Sequence, residues 1–448
     1  MQVSIETTSG LERRLTVGIP AEQVDSEVKK RLQQAAKTVR LNGFRKGKVP
    51  LKVVKQRFGA GVRQEVLGEV INRTFYEAVQ KEAVKPAGQP SIEPTQLDEG
   101  KDVEFVATFE VYPEVAVSDF AAFEITRLSA TVTDTDIDNM VEVLRQQSAT
   151  WETVERAAQD GDQVTIDFTG TRDGEAFEGG TGENHDLELG SKSMIPGFEE
   201  GLIGALAGEE KTLALTFPED YHAEDLKGAA VEFKVTVHRV AAKELPPLDD
   251  EFFAKYGVKE GGEEKFREDV KANMERELNN AAKSKVKNQV MEALLGAHEV
   301  ELPKSLITSE IETLRNQALQ QFGGGANAQN LDLKSLLPDE MFAEQAERRV
   351  ALGLIVGEVV KAAEISVDAE RVRAMVEEIA STYQEPEEVV NYYYNNQELL
   401  SGVESAVLED QVVDHILAAA KVTDEQSTYE EVIKQEPKDR ESQGKDAE

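Results

Sequence analysis

At 448 residues, with 40% hydrophobic content and a formal net charge of -36, the chain is long enough for two to four domains with ordinary cores, and acidic enough to repel nucleic acid and anionic membranes over most of its length. It has no cysteine, which excludes disulfides, thiol nucleophiles and zinc-thiolate sites and is compatible with a reducing compartment. Five scattered histidines without metal-ligand spacing, the lack of any 18-residue apolar run, and an amino terminus unlike a signal peptide together predict a soluble cytoplasmic protein with no catalytic metal and no cofactor.

The first ~20 residues alternate as strands do. Pro20 then opens a stretch in which Val24, Val28, Leu32, Ala35 and Val39 recur at helical spacing, predicting an amphipathic helix with a basic outer face that ends at Asn42-Gly43, the glycine acting as a left-handed cap. A second helix is predicted from about Val62 to Glu82, with Val62, Val66, Val70, Phe75 and Val79 inward. Between them Gly43-Phe44-Arg45-Lys46-Gly47-Lys48-Val49-Pro50 would lie at the tip of a helix pair. Alternation returns from Val103 to Val111 and closes an α+β domain over residues 1–112. Residues 113–149 read as one extended stretch and a helix, with Ile137, Val141 and Leu144 on one face behind Thr133-Asp134. That is too little to fold alone, so this linker must pack on another part of the chain.

From Trp151 to Val240 the pattern becomes short alternating strands with glycine turns, predicting a small, mostly antiparallel β domain over 150–245. Val164, Ile166 and Phe168 share one face, as do Leu213, Leu215 and Phe217, and Phe233, Val235 and Val237. Leu245-Pro246-Pro247-Leu248 marks its boundary. Residues 246–422 read as helical: Phe266, Val270, Met274, Leu278, Ala282, Val286, Val290 and Leu294 advance by fours along one very long helix that stops at Gly296. Further helices begin at Pro303, Pro338, Asp368, Pro386 and Gln397. Residues 423–448 are polar and charged, predicting a disordered acidic tail.

Charge is unevenly placed. Residues 1–112 hold 18 basic and 15 acidic side chains, leaving 32 basic against 71 acidic for the rest, and Val28 to Gln64 carries twelve Lys and Arg with no Asp or Glu. A contiguous basic segment in an acidic chain asks for a polyanionic partner. Cations on two helix faces neutralise phosphates, while Phe44 on a turn exposes apolar area unless a partner covers it. The same residues also fit a solvated basic face with the aromatic folded inward.

The octapeptide from Gly43 to Pro50 resembles the GFRxGKxP signature of the bacterial trigger factors, chaperones that dock at the ribosomal exit tunnel, and the resemblance covers nearly the whole chain in the same domain order. It implies that Gly43, Phe44, Arg45, Lys46, Gly47 and Lys48 bind the ribosome, on ribosomal protein and adjacent rRNA near where nascent chains emerge. The central domain resembles FKBP-type prolyl isomerases through Val164-Thr165-Ile166-Asp167-Phe168-Thr169-Gly170, Phe177-Glu178, Met194-Ile195-Pro196-Gly197-Phe198-Glu199-Glu200-Gly201 and Glu232-Phe233-Lys234-Val235. By position Phe168, Phe177, Ile195, Phe198, Tyr221 and Phe233 match that family's catalytic pocket lining, with Glu178 orienting the pocket by hydrogen bonding. Two departures, Phe198 for a tryptophan and Glu178 for an aspartate, argue against affinity for the family's macrolide ligands. From the residues alone, aromatics on alternating strands equally describe an ordinary β core.

The implied architecture is multidomain α+β: an α+β ribosome-binding head, an FKBP-like antiparallel β domain and an extended all-helical C-terminal domain whose arms form a cradle. The implied function is that of a ribosome-associated chaperone with built-in peptidyl-prolyl cis–trans isomerase activity, acting without ATP since no phosphate-binding loop occurs. Its partners would be the ribosome and nascent or unfolded polypeptides, with no DNA and no membrane; a homodimer of the free protein stays open. Met274, Met291, Met341 and Met375 in the helices suit either promiscuous apolar binding or plain core, and Tyr392-Tyr393-Tyr394 cannot all face inward. Two rival readings are a free prolyl isomerase whose arms recruit substrate and an RNA-binding regulator using the basic tip; the acidic remainder argues against the second.

Overall fold

In the computed structural model, which describes residues 2–41, 44, 49–172, 174–221, 223, 226–321, 337–381, 383 and 385–434 without the side chains of Glu178 and Gln321, the alternating amino-terminal residues form a hairpin of β1 (Gln2–Ser9) and β2 (Glu12–Ile19). With β3 (Ser91–Gln96) and β4 (Val103–Glu110) they make an antiparallel sheet of order β1-β2-β4-β3. The sequence reading has no strand at β3, and Pro94 lies within it. Placed at the sheet edge, with a register shift beside the proline, that strand tolerates the missing N–H donor.

Two helices, α1 (Ala21–Thr38) and α2 (Leu51–Lys81), cover this sheet and bury Val24, Val66, Val70 and Phe75 among Leu15, Val17, Phe105 and Phe109. Both depart from the sequence expectation. α1 stops at Thr38, and its C-cap is an extended Val39 (ψ 138°) instead of a left-handed glycine. Thr38 Oγ1 donates to the Ala35 carbonyl at 3.2 Å, and two β-branched residues in succession are poor helix formers. α2 begins at Leu51, well before Val62, directly behind Pro50, which can enter a helix because its missing N–H is not needed there. Gly59 and Gly61 weaken this stretch by roughly 1 kcal/mol each relative to alanine. Burial of Val49 and Val54 with Leu32, and packing of Phe58 on them, outweighs that loss.

The linker supplies β5 (Glu124–Ser129) and α3 (Asp134–Gln147). A capping box starts α3: Asp136 N–H donates to Thr133 Oγ1 at 3.3 Å and Thr133 N–H donates to Asp136 Oδ2 at 2.8 Å, worth about 1 kcal/mol. Next come β6 (Thr150–Thr153), β7 (Gln163–Arg172), β8 (Glu175–Glu188), the short α4 (Phe198–Leu202), β9 (Glu210–Thr216) and β10 (Ala230–Glu244). All their pairings are antiparallel, in the order β6-β10-β7-β8 with β9 also on β10.

The rest is helical as predicted, with α5 (Asp250–Lys255), α6 (Gly262–Ala297), α7 (Lys304–Gln321), α8 (Ala343–Ala362), α9 (Ala369–Ala380), α10 (Pro386–Asn395) and α11 (Gln397–Ala419). Compactness groups Met1–Arg127 with Ser284–Asp424, and Leu128–Lys283 with Glu425–Glu448. In the first group Val286, Val290 and Leu294 of α6 are buried with Phe120, Phe123, Ile355, Val359, Val412 and Ile416. There too Glu110 Oε2 accepts both the N–H and the Oγ of Ser305, each at 2.8 Å, at the start of α7. Burial pushes the Glu110 carboxyl up, but these donors outweigh it and hold it below the ordinary range. In the second group Ile137 and Val141 of α3 are buried with Phe252, Phe266, Val270, Met274 and Leu278.

Met274 and Met291 are core residues, Met375 packs partly against Val372 and Val376, and Met341 is exposed, so most of the methionines are accounted for by packing. Tyr393 packs inward while Tyr392 and Tyr394 are exposed. Among the described residues no helix is long and apolar enough to cross a membrane.

The expected disordered tail over 423–448 is corrected in its first part. β11 (Lys421–Gln426) pairs with β5, and α12 (Tyr429–Ile433) follows a second capping box on Thr428. Its polar composition hides two apolar residues one helical turn apart: Tyr429 and Val432 are 6% and 1% exposed in the α3–α6 core. The Tyr429 hydroxyl donates to Glu277 Oε2 at 2.8 Å, and burial together with that carboxylate pushes the phenol above its ordinary pKa. Residues 435–448 lie outside the described residues. Tyr429→Ala is expected to cost about 3–5 kcal/mol, the range for emptying a buried aromatic site, read as lost hydrogen-exchange protection in α3 and the first half of α6. Unchanged protection would return α12 to the status of a tail.

Candidate active site

Alternation along β7 sets Val164, Ile166 and Phe168 on the face that meets the core. Opposite Phe168 stand Gly182 of β8 and Val235 of β10, and opposite Phe233 stands Gly170. The glycines make room for rings. A Cβ on Gly182 would lie 2.6 Å from the Phe168 ring, one on Gly170 would lie 2.7 Å from both Phe177 and Phe233, and one on Gly180 would lie 2.7 Å from Phe177. None of the three needs a positive φ, so what they supply is space.

Into that space three phenylalanines pack around Phe233. Its ring centroid lies 5.3 Å from Phe198, 5.9 Å from Phe177 and 6.2 Å from Phe168. Phe177 also meets Phe217 at 5.8 Å, and Phe217 meets Tyr221 at 4.5 Å. The Phe198–Phe233, Phe177–Phe233 and Phe177–Phe217 contacts are edge-to-face and the other two tilted; aromatic pairs contribute about 0.5–1.5 kcal/mol each beyond area burial. Together they wall a cavity of about 200 Å³, closed by Met194, Ile195, Ala223 and Leu226. The fold thus brings together Phe168, Phe177, Ile195, Phe198, Tyr221 and Phe233, while the Glu178 side chain lies outside the described residues. A larger apolar cavity of about 280 Å³ lies among Met140, Leu144, Tyr256, Phe266 and Met274, without such a ring box.

Sequence reasoning treated Phe217 as core only, because it alternates with Leu213 and Leu215; at 4% exposed it is core and cavity wall at once. A second residue it missed is Glu199, 5% exposed, in the first turn of α4. Its carboxylate accepts the N–H of Gly190 (2.8 Å), Lys192 (3.0 Å) and Met194 (3.2 Å), and the Ser191 hydroxyl at 3.3 Å. These bonds gather the loop that leads into Ile195. The signal was a carboxylate between two residues of an apolar helical turn, Phe198 and Leu202. Ile195 ends the loop with an N–H that has no acceptor among the described residues, and its carbonyl accepts the Phe198 N–H at 3.1 Å.

At the other predicted site only Phe44 is described: it is 41% exposed, and its N–H donates to the Leu41 carbonyl at 3.1 Å. Gly43, Arg45, Lys46, Gly47 and Lys48 lie outside the described residues.

Burial pushes the Glu199 carboxyl up, but the three backbone donors and Ser191 outweigh it and hold its pKa below the ordinary value of 4.5. Its stabilisation is therefore fully present above that ordinary value and is lost as pH falls through the depressed native one. Glu199→Gln should cost about 1.5–3 kcal/mol at neutral pH, the range for hydrogen bonds to a charged group. Urea unfolding followed through Trp151, the only tryptophan, should show the gap to wild type closing in acid. A gap independent of pH would mean that the loop does not depend on an ionised carboxylate.

Residues 1–144 match the family described as bacterial trigger factor protein, residues 264–418 match the trigger factor C-terminus, and residues 154–238 match FKBP-type peptidyl-prolyl cis-trans isomerase. The trigger factor of Cellvibrio japonicus is 67% identical over 434 residues, 97% of this chain and 99% of its own length. That of Saccharophagus degradans is 62% identical over 438 residues, 97% of this chain and 98% of its own. That of Stutzerimonas stutzeri is 56% identical over 434 residues, 97% and 98% respectively. With three domain matches in order and relatives this similar along their whole length, the chain belongs to the bacterial trigger factor family, ribosome-associated chaperones that carry an FKBP-type prolyl isomerase domain.

Proposed function

We propose that the ring-walled cavity of the β domain is the isomerase site and that Phe44 with Gly43, Arg45, Lys46, Gly47 and Lys48 forms the ribosome dock. The observation that carries the first assignment is the cavity itself, an apolar ring-walled box of about 200 Å³ lined also by Ile195, whose N–H has no acceptor among the described residues. Rotation about a prolyl peptide bond makes and breaks no covalent bond; its barrier of roughly 18–20 kcal/mol comes from amide resonance. An apolar environment favours the twisted, less dipolar amide over the planar one, and a backbone donor can hold the carbonyl of the residue preceding proline while the ring turns. Phe168, Phe177, Phe198, Tyr221 and Phe233 supply the environment, Ile195 the donor, and Glu178 orients the wall by hydrogen bonding.

The remaining assignments follow the division made from the sequence. Residues 1–112 are the docking head, 113–149 a linker packing on the helices, 150–245 the isomerase, and 246–422 the helical chaperone domain. The head meets ribosomal protein through Phe44 and rRNA through its cations, in the cytoplasm. Client release rests on weak, fast exchange, and the acidity of the helices opposes self-association.

Two variants separate the activities. Phe177→Ala is expected to lower kcat/KM for cis–trans relaxation of a Xaa-Pro peptide at least about tenfold, the equivalent of 1.4 kcal/mol, and to leave sedimentation with 70S ribosomes intact. Alanine at Phe44, Arg45 and Lys46 together should do the reverse. Loss of both activities in either variant, or of neither, would overturn the assignment and favour a free isomerase whose arms recruit substrate.

A further inference from the structure

Between β8 and α4, every backbone N–H from Gly190 to Phe198 has an acceptor among the described residues except that of Ile195, and Pro196 has none to offer. Ser191 donates to the Glu188 carbonyl at 3.3 Å, Ser193 to the Ser191 hydroxyl at 3.4 Å and Phe198 to the Ile195 carbonyl at 3.1 Å. The rest go to two adjacent carboxylates of α4. Glu199 accepts from Gly190, Lys192 and Met194, and Glu200 Oε2 accepts from Gly197 at 3.0 Å. Backbone donors of folded chains are almost always paired. The unpaired one here stands between two residues whose own N–H groups are held by carboxylates, and it belongs to a residue that lines the ring-walled cavity.

Apolar packing does not hold this loop. Ser191, Lys192 and Ser193 are exposed, and Lys192 has φ +58°, in the left-handed region that a residue with a side chain takes only where surrounding contacts enforce it. Those contacts come from Glu199. Besides the three N–H groups it accepts the Ser191 and Ser193 hydroxyls at 3.3 and 3.5 Å, and the two hydroxyls meet each other at 2.9 Å. Bonds to an ionised carboxylate are shorter and stronger than those between neutral groups. Glu199 in turn follows Phe198, which is 1% exposed and forms part of the cavity wall. One carboxylate therefore ties the loop that carries Ile195 to the ring wall it faces.

From this, and resting on the assignment of the cavity as the isomerase site, we infer that Glu199 is a positioning residue for prolyl isomerisation: it acts through the loop, holding the Ile195 N–H free at the cavity for a substrate carbonyl. Glu200 fixes the far side of the same turn through Gly197. Isomerisation needs part of the substrate backbone held while the rest turns, and a misplacement of about 1 Å can cost on the order of a hundredfold in rate. The ring wall would still accept proline without Glu199, so the loss falls on kcat more than on KM.

The test measures kcat and KM of the full chain for cis–trans relaxation of a Xaa-Pro peptide, with hydrogen exchange alongside, in wild type, Glu199→Gln, the double variant Ser191→Ala, Ser193→Ala, Val240→Ala and Phe177→Ala. Val240 is buried in the same core opposite Val164 and does not line the cavity, so its truncation weakens the domain without touching the loop. Glu199→Gln is expected to lower kcat about tenfold or more while KM stays within about threefold, with exchange faster over residues 190–194 and unchanged in β7 and β10. The serine pair should lower kcat less, in the same direction, and Val240→Ala should keep wild-type kcat and KM. An unchanged kcat in Glu199→Gln, or a loss confined to KM, would overturn the positioning role. So would an equal loss of kcat in Val240→Ala, which would leave Glu199 a contributor to stability alone. If Glu199→Gln does not fold, the serine pair decides, since its side chains are exposed: wild-type kcat there overturns the inference. Full activity of Phe177→Ala would instead remove the cavity as the isomerase site, and the role of Glu199 with it.

Discussion

Burial of the apolar stripe on α6 is the constraint from which the helical part of the molecule follows. Thirty-six residues of helix extend about 54 Å, and no helix with apolar positions only every fourth residue holds itself in water by propensity alone. Phe266, Val270, Met274 and Leu278 must be covered, and α3, α5 and α12 cover them. Val286, Val290 and Leu294 must be covered too, and Phe120, Phe123 and residues of α8 and α11 do so. Segments hundreds of residues apart in sequence are thereby fixed. The β domain becomes an excursion whose two ends are held together: Arg145 Nε donates to the Pro246 carbonyl at 2.7 Å, and the Tyr256 hydroxyl donates to the Leu144 carbonyl at 3.0 Å. A domain inserted this way can vary its pocket without disturbing the core that carries it.

Inside the β domain the same economy of space operates on a smaller scale. Four rings converge on one cavity because three facing positions carry no side chain at all, and any of Gly170, Gly180 or Gly182 enlarged to alanine meets a ring below 3 Å. The chemistry asks little in functional groups: an apolar wall, a donor, and a shape that accepts a turned proline. The buried carboxylate of Glu199 is occupied by the Gly190, Lys192 and Met194 N–H groups and so serves the loop.

Periodicity made much of this legible in the sequence. The stripe on α6, the inward faces of α2 and α3, and the strand faces through Phe168, Phe217 and Phe233 were read from spacing because burial in one direction imposes it. The elements that escaped share a cause: a local signal overruled by contacts distant in sequence. Pro94 argues against a strand until an edge position removes the need for its N–H. Gly59 and Gly61 argue against a helix until Val54 finds Leu32. Tyr429 and Val432 sit in a stretch too polar to look folded, and only the α3–α6 core, far away in sequence, gives them a place. Glu199 escaped for a related reason, as a carboxylate becomes structural only when a loop folds its N–H groups onto it.

Net charge misleads in the same way when it is taken as a property of the whole chain. A total of -36 predicts repulsion from RNA, and at 0.01 M salt, with a screening length of about 30 Å, the acidic helices would contribute to it. At physiological ionic strength the screening length falls to about 8 Å, and a partner senses mainly the charges beside its own contact. Which cations are free at that contact then matters more than the sum. Glu27, Glu65, Glu69, Glu99 and Asp25 pair with Lys30, Arg31, Lys55 and Arg63, while Lys29, Lys37, Arg40, Lys52 and Arg57 have no ion pair among the described residues. An acidic body repels other polyanions, while a local group of unpaired cations attracts one only within the short screening length of its own surface.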